Sequence, residues 1–171
     1  MSPQSRRVAG VLLLVLPTVV LGGVSVLSLL IGDAGYRDNP LRQDLWRAGH
    51  AHAGVLLLLS LIALRYVDEA RLSERARWFV RLALPAAAVL LPVAFFLSVL
   101  MPQAQEPSPV IYLAYVGAVV LASGLLTLAV GLCRSETPRS APSGSPSHDA
   151  LSPSAPREPH PRPSSPSPTS P

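Results

Sequence analysis

The 171-residue chain contains no lysine, a single cysteine and only 5% aromatic residues. Each scarcity narrows what the protein is. All 14 basic residues are arginines, spread over loops and the C-terminal stretch, with no dense basic patch of the kind that tracks a nucleic-acid backbone. Cys133, being alone, forbids an internal disulfide and has no metal-ligand spacing around it. No Gly-rich phosphate loop, zinc-protease motif or nucleophile elbow occurs. Charge is scarce too, at 14%, and it is absent from long stretches where aliphatic residues dominate.

Those stretches define the fold class. Val8–Ile31 is 24 residues without a charge, long enough to cross a hydrocarbon core of about 30 Å at about 1.5 Å per residue. Ser5-Arg6-Arg7 before it resembles the start of a twin-arginine export signal, but the apolar run is longer than a signal-peptide core, so it is read as a retained span. A second run, Ala48–Leu64, is preceded by Asn39-Pro40, a cap followed by a first-turn proline, which places the helix at about 40–66. Its first turns, with Leu41, Leu45 and Trp46, then lie at the interface, Arg42, Asp44 and Arg47 in the headgroup zone and Trp46 as anchor. A third run at 80–101 carries Pro85 and Pro92 on nearly one face, and a fourth at 110–132 carries Gly117, Gly124 and Gly131 at a spacing of seven. The sequence therefore predicts an all-α, four-helix transmembrane bundle over residues 1–133. Residues 134–171, with 11 prolines and 11 serines, form a disordered tail with too little apolar area to offset chain entropy.

Arginine placement predicts topology. Arg6, Arg7, Arg65, Arg71, Arg75, Arg77, Arg81, Arg134 and Arg139 flank one side, and only Arg37, Arg42 and Arg47 the other. By the positive-inside rule both termini face the cytoplasm, in a bacterial plasma membrane. Asp68, Glu69, Glu74 and the arginines around them read as a solvated interfacial turn with local ion pairs.

One segment stands out chemically: Arg47-Ala48-Gly49-His50-Ala51-His52-Ala53-Gly54 sets two imidazoles among residues with almost no side chain, so something comes close there. Ionisable groups at membrane depth carry a functional expectation. On a helix His50 and His52 point about 200° apart, which rules out a two-histidine chelate from one chain. At the same end the expected topology brings Met101, closing the third helix, and Tyr112 and Tyr115, opening the fourth, with Arg47 at the rim. Three readings of this cluster stay open. In the first the histidines are structural, tying helices together for about 0.6–2 kcal/mol per contact in a subunit that packs with itself or a partner. The second makes His50, His52 or Met101 a ligand to haem or copper. A bis-histidine haem would then need a homodimer, because His148 and His160 fall in the tail. The third is a small transporter, with a proton-passing histidine and a kinked third helix, although no carboxylate lies in the apolar runs to couple it.

With His50, His52 and Gly54 near the start of its second helix, the chain resembles small, mostly uncharacterised bacterial four-helix integral membrane proteins that carry a His-x-His-x-Gly element there. The resemblance implies a four-pass membrane protein and assigns no catalytic residue. The partners expected from all of this are the lipid bilayer and a second copy or a larger membrane complex.

Overall fold

A computed structural model describes residues 1–134; the tail beyond them, and the disorder expected of it, lie outside the described residues. Helix α1 (Pro3–Gly32) leads through a one-turn helix α2 (Ala34–Arg37) into α3 (Pro40–Tyr66). A turn connects to α4 (Glu74–Ser98), and a 3-10 turn (Pro109–Tyr112) opens α5 (Leu113–Cys133). Among the described residues there is no strand, and four helices are long and apolar enough to cross a membrane.

Local chemistry explains the boundaries. Ser2, followed by Pro3, caps α1 by accepting the Ser5 N–H, so the helix begins well before the apolar run and carries Arg6 and Arg7 in its first turns. Asn39 caps α3 by accepting the Arg42 N–H at 3.0 Å. Ser73 caps α4 by accepting the Ala76 N–H, with Glu74 in the first turn favoured by the helix dipole. Helix α4 thus starts six residues earlier than hydropathy alone predicts and ends at Ser98. Met101 does not close it, but lies in the following turn, 71% exposed.

The helices pack as a row in the order α1, α3, α4, α5. Helices α3 and α4 pair at the centre, α5 lies along α4, and α1 lies along α3 without a backbone contact to α5. Half of the most apolar window of α4 is buried, against only 6% of that of α1. The core has two layers: Leu12, Leu56, Leu57, Leu64 and Leu91 join α1, α3 and α4, and Ala63, Val80, Ala83, Leu84 and Leu128 join α3, α4 and α5. On the outward faces Thr18, Ser25 and Ser28 donate to carbonyls of the preceding turn, so even the hydroxyls of α1 present no free polar group to lipid.

Gly117, Gly124 and Gly131 all face inward. A Cβ on Gly117 would lie 2.7 Å from Leu91, one on Gly124 2.8 Å from Leu84 and 3.1 Å from the Cβ of Ala83, and one on Gly131 2.6 Å from Leu72. The stripe therefore seats α5 against α4 and the turn before it within one chain.

Candidate functional site

Glycine also explains the histidine segment. Gly49 lets Phe95 and Phe96 of α4 reach the α3 backbone, where a Cβ would meet Phe96 at 3.1 Å. What comes close at Gly22 and Gly23 of α1 is His50 itself: a Cβ on Gly23 would fall 2.9 Å from its Cε1 and Nε2. The imidazole is half-buried and makes no hydrogen bond among the described residues. It lines two adjoining apolar grooves on either side of α1. The first, about 260 Å³, runs between α1, α3 and α4 past Thr18, Gly22, Ala53, Pro92 and Phe96. The second, about 470 Å³, passes Val20, Gly23, Gly54 and Leu58.

His52 points elsewhere. Its Nδ1 lies 2.7 Å from the Ala48 carbonyl, its ring is tilted against Phe95 at 5.2 Å between centroids, and it is exposed. Tyr112 and Tyr115 stack on each other at 6.1 Å and are 67% and 70% exposed. Arg47 donates to Gln43 Oε1 in its own helix. The expected cluster thus separates into His50 on the α1 side, His52 against α4, the tyrosine pair where the 3-10 turn meets α5, and Met101 in a turn. Among the described residues no three His, Cys, Asp or Glu side chains come together as a metal-binding group.

Two polar assemblies were not foreseen. At the end of the row holding Ser2, Arg81 is buried with its side chain 3% exposed and donates to Asp68 Oδ1 at 2.9 Å, Ser5 Oγ at 3.1 Å, Ser2 Oγ at 3.2 Å and Glu74 Oε1 at 3.3 Å. Asp68 also accepts from the Ser2 N–H and the Ser5 hydroxyl. Burial works against its ionisation, but the Ser2 N–H, the Arg81 guanidinium and the two serine hydroxyls outweigh it and hold the carboxyl down at about 2. The solvated turn expected here is corrected in part: Asp68 and Arg81 form an enclosed knot that pins the start of α1 to α4, and only the pairs Arg65–Glu69 and Arg77–Glu74 are peripheral. An arginine one residue inside an apolar run, with Val80 before it and Leu82 after it, was the available signal.

At the opposite end Trp46, expected as a headgroup anchor, instead packs inward between Tyr36 at 5.8 Å and Phe96 at 5.9 Å. Arg42, expected among the headgroups, is only 8% exposed, with Cζ 4.4 Å from the centre of the Trp46 ring. Asn39 donates to the carbonyls of Pro102 and Ala104 and so fastens the α4–α5 turn over this cluster.

No family model, curated protein or solved structure matches the chain. The arrangement of apolar spans and inward polar ties defines an integral membrane protein.

Proposed function

We propose that the protein is a structural or accessory subunit of the bacterial cytoplasmic membrane, a four-pass protein with both termini cytoplasmic that packs with itself or with a larger membrane complex. The observation that carries this reading is the edge position of α1. It is an apolar helix with hardly any of its span covered, its hydroxyls turned back on their own carbonyls, and its glycines opened around one imidazole. Helix faces of this kind associate in lipid through close van der Waals contact. Oxidative crosslinking in native membranes, in a Cys133→Ser background, tests it. A cysteine at Leu14, which is 79% exposed on α1, forms intermolecular products, and one at Leu126 on α5 forms fewer. Absence of crosslinks at both positions counts against assembly.

A second reading rests on His50. A half-buried imidazole without a hydrogen bond, beside open apolar grooves, suits an axial ligand to haem or a copper ligand completed by a second copy. The visible spectrum and metal content of detergent-purified protein separate the two readings. A stoichiometric haem band or copper signal that disappears in His50→Ala supports the redox reading. A colourless, metal-free protein from cells supplied with haem and copper supports the structural one.

A further inference from the structure

The cluster around Arg42 holds a guanidinium that no carboxylate pairs among the described residues. Arg42 as a residue is more than nine-tenths buried, and its side chain has neither an ion pair nor a hydrogen bond among the described residues. Removing an unpaired cation from water is costly, and Arg81, at the other end of the row, shows how this fold meets that cost when it supplies a carboxylate. Position makes matters worse for Arg42. It sits in the first turn of α3, where the helix dipole is positive and which itself contains no acidic residue.

What surrounds the group is aromatic. Trp46 lies at 4.4 Å and Tyr36 at 5.9 Å, so the π faces hold the cation without neutralising it. Three donors here have no acceptor: Arg42 Nε, the indole Nε1 of Trp46 and the hydroxyl of Tyr36, all enclosed. In Arg42 only Nε is sealed in this way, so the terminal Nη groups reach the surface. Burial, helped by Asp44, pushes the Tyr36 hydroxyl above its ordinary value against the pull of two nearby guanidiniums, Arg47 and Arg42. Three enclosed donors without acceptors thus gather at one point near the start of an apolar span.

We propose that Arg42, held between Trp46 and Tyr36, is a binding site for a phosphate oxyanion, supplied by a phospholipid head group or by free inorganic phosphate. The guanidinium Nη groups provide charge-assisted donors in a fixed fork that matches two phosphate oxygens. The aromatic pair fixes the orientation of the fork, and Asn39 holds the α4–α5 turn beside it. A phospholipid delivers its phosphate at the depth where the apolar run begins.

The test uses the full chain, purified in a phosphorus-free maltoside detergent and stripped of lipid. Binding is followed by thermal stability on titration with dioleoyl phosphatidylglycerol or with inorganic phosphate, and by phosphorus retained per polypeptide after a fixed wash. Wild-type protein is stabilised in a saturable way and retains phosphorus. Arg42→Gln binds at least about tenfold more weakly, as expected on losing a charged hydrogen-bonding group. Arg75→Gln, an exposed change at the other end of the row, binds like wild type. Stabilisation by the lipid alone identifies a head-group site, and stabilisation by both probes identifies a site for the oxyanion itself. Should Arg42→Gln fail to fold, Arg42→Lys keeps the charge and removes the fork, and it too binds more weakly. Wild-type protein that responds to neither probe, or variants that respond equally, would overturn the proposal and leave Arg42 as a packing residue.

Discussion

Among single residues, Arg81 and Asp68 carry the most charge in the least water. Replacing Arg81 by Ala leaves Asp68 enclosed with only serine donors, and loss of one partner of a buried pair costs about 3–5 kcal/mol. Thermal unfolding in detergent should show that loss, and a change below about 1 kcal/mol would mean that water reaches the knot. The same carboxylate sets a pH dependence. Its folded value of about 2 lies below that of a free aspartate, about 3.9, so the stabilisation is complete above pH ~4 and is lost as pH falls through ~2. Asp68→Asn should remove about 2 kcal/mol at pH 7 and flatten the stability profile between those limits, and a variant retaining the wild-type slope would assign the acid sensitivity elsewhere. Beyond the position of Arg81 just inside an apolar run, this was not legible in the sequence, because the partners are far apart along the chain: Ser5 and Asp68 are separated by 63 positions, and Ser2 and Arg81 by 79. A charge beside a loop reads as solvated until the neighbouring helix is placed. The reverse holds for Arg42 and Trp46, whose residue types suit a headgroup layer and whose burial depends on Tyr36 and Phe96 arriving from α2 and α4.

For the helices, hydropathy was a sound guide to number and approximate position, since each span holds a long, strongly apolar stretch. The ends were harder to place, because α1 and α4 are extended beyond their runs by Ser2 and Ser73, caps that hydropathy does not register. The spacing of Gly117, Gly124 and Gly131 announced a close contact but not its partner. The partner is α4 and the turn before it, so the consequence of enlarging a glycine is intramolecular. Gly124→Leu would drive a side chain into Leu84 and the immobile Cβ of Ala83, and overpacking of this kind costs about 1–3 kcal/mol. The expected outcome is a lower unfolding temperature with α1-mediated crosslinking retained; lost crosslinking at unchanged stability would instead put the stripe at an interface between copies. At Gly23 the obstructing atoms are the ring of His50, so Gly23→Ala should displace the imidazole more than it destabilises the fold. A chemical-shift change of the His50 ring at nearly constant unfolding temperature would show it.

Across the whole molecule, the hydrogen bonds from Ser2 to Asp68 and from the Arg71 N–H to the Gly131 carbonyl place the start of α1, the α3–α4 turn and the end of α5 at one end of the row. Arg6, Arg7, Arg71 and Arg75 lie there without an ion pair among the described residues. The opposite end has fewer arginines to hold in place: Arg42 is buried and Arg37 donates to the Ile31 carbonyl, which leaves Arg47. The two ends thus differ in free arginines in the sense that the positive-inside rule reads, and this supports the proposed cytoplasmic placement of the Ser2 end. Reporter fusions decide the matter. Alkaline phosphatase fused at Gln103, which is exposed in the α4–α5 turn, should be active, and fused after Arg139 inactive, with the opposite pattern for a fluorescent protein that folds only in the cytoplasm. The reverse pattern would turn the molecule over, bringing Arg42 and the His50 end of the grooves to the cytoplasmic leaflet and the Asp68–Arg81 knot to the outside. The phosphate donor available to Arg42 would then come from the inner leaflet or the cytosol, so this orientation fixes which lipids and solutes the site meets in the cell.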